Sequence, residues 1–235
     1  MRPLIHALVL IALAAPARAE ETWYPSKYGA QDTAGAMNNL SPEGAVNAAK
    51  LVKTGKVYAL RIVTGPDTPV WPGRSYSVAV MGIDDGGGSP IGGTKVTGHD
   101  DVLMTFVGIG TQLDGFGHMG INRRHYNGVH ARDFYKPDGV TKFGTEAILP
   151  TATRSVLLDM AKHYKMAQLK PGTAFNRVEI DAAAEAAGVR IGKGDVVLYH
   201  TGWMAMAKTD PKQFIAVQPG LGEGARNIWR RSAWS

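Results

Sequence analysis

The stretch Val102-Leu103-Met104-Thr105-Phe106-Val107-Gly108-Ile109-Gly110-Thr111-Gln112-Leu113-Asp114-Gly115-Phe116-Gly117-His118 runs from an apolar, strand-like segment into a glycine-rich turn carrying an amide, a carboxylate and an imidazole. A strand followed by closely spaced glycines brings backbone near something, here with three polar side chains in one short segment. In extended chain, residues two apart share a face, so Gln112 and Asp114 are expected on the same side. A carboxylate beside an imidazole can hold a metal ion or share a proton transfer. The same residues would also fit a plain turn in which Asp114 caps and His118 packs beneath it.

Outward from this segment, the chain alternates strand and helix signals. Ser41, Pro42 and Glu43 supply an N-cap, a first-turn proline and an acidic first turn for a helix that Gly55 would end. Lys56 to Ile62 alternates and is β-branched, which predicts a strand. Further strands are predicted at Tyr76 to Met81, Val102 to Val107, Val156 to Met160 and Asp195 to His200. A second helix fits Arg177 to Ala187, with Asn176 as cap and Glu179 completing a capping box. Strands outnumber helices and come both singly and in neighbouring pairs, so an α/β (α+β) domain is expected, a mixed sheet wrapped by a few helices. Gly86 to Gly93 reads as a surface loop.

The 235 residues include 29 glycines, about 12%, above the ~7% typical of proteins, which favours turns over long helices. With no cysteine, thiolate zinc sites and cysteine nucleophiles are excluded. Residues 1 to 19 read as a secretory signal: Arg2, an apolar run from Leu4 to Ala15, and the small-x-small site Ala17-Arg18-Ala19. The apolar run is shorter than the ~20 residues that span a bilayer. The mature chain is therefore expected to begin near Glu20 as a single domain over residues 20–235, exported to the periplasm and not held by a membrane. Loss of Arg2 and Arg18 leaves 24 basic against 20 acidic residues, scattered and without aromatic interleaving, so nucleic acid is not an expected partner.

Several quoted segments carry a resemblance. The turn resembles the motif His-x-Gly-Thr-His-x-Asp-x-Pro-x-His of the cyclase family that includes bacterial kynurenine formamidase and isatin hydrolase. Aligned on Gly110-Thr111, the motif's Asp falls on Asp114 and its last His on His118. Its first His falls on Gly108, its second on Gln112 and its Pro on Phe116, a Gly-Thr-Gln-x-Asp variant. Asp67-Thr68-Pro69-Val70-Trp71-Pro72-Gly73 is similar to the family's segment near the substrate pocket. Tyr28 to Asn39, Tyr126-Asn127-Gly128, Gly194 to Leu198, Thr201-Gly202-Trp203 and Pro219-Gly220-Leu221-Gly222 follow in the family's order.

The resemblance implies a swivelling β/β/α fold and an arylformamidase-like, metal-dependent hydrolysis of a C–N amide bond, in which an activated water attacks the carbonyl. It implies His118 and Asp114 as catalytic residues, and Asp114, Gln112 and His118 around a divalent ion, Zn or Mn, with oxygen donors favouring the harder ion. Trp71 and Gln112 would meet the substrate, an aromatic amide or formamide. Trp71 is equally at home as a core anchor. His99 with Asp100 and Asp101 reads as flanking or solvated, and His125 and His130 as a loop over the site or as surface residues. The family continues past Pro219 to Gly222 with a further His and Glu, whereas this sequence ends at Ser235, so the domain is expected to be incomplete at its C-terminus. The alternative is an inactive cyclase-fold protein binding a small aromatic or anionic ligand. A homodimer is left open.

Overall fold

The computed structural model describes residues 24–81 and 92–227; the signal segment at residues 1–19, most of the Gly86 to Gly93 loop and the last eight residues lie outside the described residues. The first helix, α1 (Pro42–Ala49), starts as its sequence demands: Ser41 Oγ accepts from the Gly44 N–H at 3.1 Å and Pro42 occupies the first turn. It stops six residues before Gly55. The N–H groups of Leu51 and Val52 bond back only three residues, to Ala48 and Ala49, so the helix tightens and unwinds where no buried face holds it.

The strand expected over Lys56 to Ile62 does not form. Within this segment Val57 is 90% and Leu60 74% exposed. The Ile62 N–H is bonded to the side-chain oxygen of Thr111, at 3.1 Å, not to a neighbouring strand. Alternation describes a segment with two faces; a ladder also needs a partner. Strand β1 (Tyr76–Met81) forms as expected and pairs antiparallel with β2 (Asp100–Thr105), matching Val78 to Leu103 and Tyr76 to Thr105. The chain leaves β2 two residues earlier than expected, and Phe106 N–H to Ser75 O, at 3.2 Å, is the last bond before the glycine-rich turn. A short hairpin, β3 (Tyr135–Lys136) with β4 (Gly139–Val140), follows.

The core lies in the second half. Strand β5 (Ser155–Asp159) buries Val156 and Leu158 and exposes the residues between them, the period of two a half-covered strand requires. Helix α2 (Met160–His163) follows at once, and Lys162 N–H is capped by Asp159 Oδ1 at 2.9 Å, which ends the strand one residue before Met160. After β6 (Ala174–Phe175), helix α3 (Arg177–Ala186) presents Ile180, Ala183 and Ala184 on one stripe to the core. Its capping box is present, with Glu179 Oε2 accepting from Asn176 N–H at 2.7 Å. Strand β7 (Val196–His200) runs parallel to β5 in register from Ser155 with Val196 to Asp159 with His200. Val156, Leu158, Met160, Leu169, Phe175, Ile180 and Ile191 form one cluster with Ala183, Ala184 and Ala225. Each large member contributes roughly 1.5–3 kcal/mol by leaving water.

Beyond β7 come α4 (Met206–Thr209), α5 (Pro211–Ala216) and β8 (Gly220–Leu221), the last parallel to β6. Trp203 is buried and its indole N–H donates to Phe214 O at 3.0 Å. The expected mixture of parallel and antiparallel pairing with a few helices is present, distributed among the described residues over four two-stranded sheets. At the base of the β5–β7 pair, Arg154 forks onto Asp195, with Nε to Oδ1 at 2.9 Å and Nη2 to Oδ2 at 2.5 Å. Burial alone would raise the Asp195 carboxyl, but Arg154 and the Gly192 N–H outweigh it and hold it below its ordinary value. No described helix is long and apolar enough to cross a membrane.

Candidate active site

The turn after β2 is fixed at both ends. Its start is held by Thr111, whose hydroxyl accepts from Ile62 N–H, and by buried Ile109. Its end is held by backbone bonds: Gly117 N–H donates to Phe143 O at 3.1 Å, and Tyr135 O–H donates to Gly117 O at 2.6 Å. Gly115 is required here, since a Cβ on it would sit 2.5 Å from the Phe143 carbonyl oxygen.

Between these anchors the three motif side chains meet. Gln112 Nε2 donates to Asp114 Oδ1 at 3.3 Å, so the two share a side as their spacing predicts. His118 Nε2 lies 3.9 Å from the same Oδ1, and both side chains are about half exposed, 51% for Asp114 and 49% for His118. His118 is therefore not packed beneath the turn. It faces solvent with a carboxylate beside it, an arrangement in which an imidazole can move a proton.

The donor set for a metal ion among the described residues is thin. Among the described residues no three His, Cys, Asp or Glu side chains converge around one point. Gln112 donates its amide N–H to Asp114 and keeps its Oε1, so one carboxylate, one imidazole and one neutral amide oxygen stand where a catalytic zinc takes three good protein ligands. The expected Zn or Mn ligands Asp114, Gln112 and His118 thus lie together on one turn, two of them a carboxylate and an imidazole and the third a neutral amide.

Phe116, at the motif's proline position, stacks on Tyr126, with centroids 4.4 Å apart and planes 14° apart. Tyr126 O–H donates to Asp32 Oδ2 and its oxygen lies against Ser26 Oγ, both at 2.6 Å. Burial first, then the Asp32 carboxylate, pushes the phenol up to about 12. Burial would raise the Asp32 carboxyl, but Tyr126, Asn38 and the Gly35 and Ala34 N–H groups hold it below its ordinary value. Asn127 adds bonds from Nδ2 to Gly29 O at 2.9 Å and to Asp32 O at 2.8 Å. The segments Tyr28 to Asn39 and Tyr126-Asn127-Gly128, quoted separately from the sequence, are therefore two halves of one clamp under Phe116.

The other candidates sort clearly. Trp71 is 44% exposed, so it is not a core anchor; its carbonyl accepts from Arg74 N–H at 3.1 Å in a turn that carries Arg74 to Gly108 O, 3.0 Å away. His125 is buried, edge-on to Phe134 at 5.0 Å, and is neither a lid nor a surface residue. His130 Nδ1 accepts from Arg132 N–H at 3.2 Å. Asp100 and Asp101 begin β2 and are exposed.

One pair escaped sequence reading. Asp159 Oδ1 and His200 Nδ1 lie 3.0 Å apart at the carboxyl ends of β5 and β7, beside a cleft of about 470 Å³ that Lys162, Lys165 and Met166 also line. The Lys162 N–H first, and then His200, hold the Asp159 carboxyl below its ordinary value. The available signal was that both residues end parallel strands, where α/β proteins place ligands.

The Cyclase family model matches residues 9–231 of the chain. A crystal structure described as a novel cyclase superposes with a TM-score of 0.76 at 27% identity, covering 86% of this chain and 70% of that one. No curated protein matches.

Proposed function

The chain belongs to the Cyclase family, and on that premise we propose that it hydrolyses the C–N bond of a small aromatic amide or formamide, as an arylformamidase-like enzyme with His118 as its base. The observation that carries this reading is the Asp114–His118 pair, 3.9 Å apart on a turn anchored at both ends. Nε2 of His118 accepts a proton from water as that water attacks the carbonyl carbon. Asp114 steadies the imidazolium, and the proton then passes to the departing nitrogen. Gln112 keeps Asp114 in place, and the exposed ring of Trp71 offers a flat face to an aromatic substrate. The composition of residues 1–19 supports export to the periplasm, and the exposed apolar side chains Val80 and Met104 of the β1–β2 ribbon support a homodimer.

The test is release of the arylamine from formanilide by the purified protein. Loss of the base should lower kcat/KM by about 10²–10⁴-fold in His118→Ala, with the unfolding midpoint unchanged because the side chain is half exposed. Turnover undiminished in His118→Ala would refute the assignment. A second reading has one observation behind it: both members of the pair are open to solvent, which suits a site that binds a small aromatic or anionic ligand without turnover.

A further inference from the structure

The position that the resembled motif fills with its first histidine is Gly108, and a guanidinium borders the space beside it. Arg74, partly buried and placed by its turn with Trp71, donates from Nη1 to Gly108 O at 3.0 Å. A Cβ on Gly108 would stand 2.8 Å from that Nη1, 3.4 Å from Gln112 Oε1 and 3.6 Å from Gln112 Nε2. Arg74 and Gln112 are thus neighbours across the place where an imidazole would root. Gln112 reaches Asp114, and Asp114 faces His118. The motif reads as an unbroken run of cation, amide, carboxylate and imidazole.

We infer that the guanidinium of Arg74 is the positive charge of this site and holds the anionic oxygen of its ligand. A guanidinium carries five N–H donors in a planar fork suited to oxyanions, and the bond to Gly108 takes a single one of them. A fixed cation also repels a divalent ion brought close to it. The catalytic consequence rests on the hydrolase reading above; the binding consequence does not. In hydrolysis, water's oxygen bonds to the carbonyl carbon while His118 takes its proton, and the carbonyl π electrons move to the oxygen that Arg74 holds. Collapse of that oxyanion breaks the C–N bond, and the proton on His118 goes to the leaving nitrogen, giving a carboxylic acid and an amine.

Phenylphosphonate, a tetrahedral oxyanion on an aromatic ring, is the probe, titrated calorimetrically into the full-length protein with and without EDTA. The wild type should bind it equally in both buffers. Arg74→Ala should weaken binding at least tenfold and Arg74→Lys, which keeps the charge but not the fork, by less. Gly108→Ala leaves the arginine in the chain but puts a methyl 2.8 Å from Nη1; it should also weaken binding, with a normal thermal unfolding profile. Binding unchanged in Arg74→Ala, binding abolished by EDTA, or no binding by the wild type at millimolar probe overturns the inference. The formanilide assay on the same samples separates the two ideas: Arg74-dependent binding without turnover sinks the hydrolase and leaves the anion site, whereas EDTA-sensitive turnover indifferent to Arg74 does the reverse.

Discussion

Replacing Tyr126 with phenylalanine removes one oxygen and leaves the ring that stacks on Phe116. That oxygen donates to the Asp32 carboxylate and meets Ser26 Oγ, each at 2.6 Å. A hydrogen bond to a charged group contributes about 1.5–3 kcal/mol and a neutral one about 1 kcal/mol. Because Asp32 keeps its bonds from Gly35 N–H and Asn38 Nδ2, the loss should fall near 2 kcal/mol. Chemical denaturation at pH 7 reads this directly, and hydrogen exchange should show faster opening confined to residues 26–38 and 124–130. The phenol supplies a second, independent check. Its ordinary value of 10.0 is raised to about 12 in the folded protein, so between those limits the unfolded chain loses this proton while the folded one keeps it. Stability tied to Tyr126 is full below pH 10 and is lost as pH rises towards 12, by on the order of 1–2 kcal/mol once solvent screening is allowed for. The difference in stability between wild type and Tyr126→Phe should therefore shrink across that window. Parallel stability curves for the two proteins from pH 9 to 12, or unchanged exchange at residues 26–38, would refute the clamp.

Two other outcomes follow from the geometry. Asp195→Asn removes a carboxylate that is 7% exposed from a fork with Arg154, itself 40% exposed, and should cost about 2 kcal/mol once solvent screening is allowed for. Since the folded carboxyl is held low, that difference should be full above about pH 4 and fade as pH drops below it in acid unfolding of the two proteins. Gly115→Ala forces a Cβ to within 2.5 Å of Phe143 O, so thermal unfolding should show a loss of about 1–3 kcal/mol; an unchanged midpoint would mean the turn has slack.

The parts of the fold legible in the sequence are those whose causes are local. Ser41 and Asn176 sit at helix starts because capping chemistry is decided within four residues. Tyr76 to Met81 and the β7 residues show their pattern in their own side chains. Lys56 to Ile62 shows an equally good pattern and forms no ladder, because pairing depends on a partner that alternation cannot report. In the candidate site, Asp114 and His118 were readable because one turn brings them together. Arg74 was not, since it meets Gly108 from 34 residues away, and neither was the Asp159–His200 pair, which exists only once β5 and β7 lie side by side in register. His125 misled because a polar neighbourhood in sequence became an aromatic one in space.

The bond between Tyr126 and Asp32 spans 94 residues, whereas β5 and β7 join across 41. Closing the longer loop costs about 0.7 kcal/mol more in chain entropy, before any of the shorter-range core contacts are counted. The expected order of events during folding is that the β5–β7 core assembles first and the N-terminal segment is fastened under Phe116 afterwards. A perturbation of the fastening should leave the rate of folding almost untouched and show itself as faster unfolding. The segment nearest the candidate catalytic turn should thus be the last to arrive and the first to leave, which would give the organised site a shorter lifetime than the molecule that carries it.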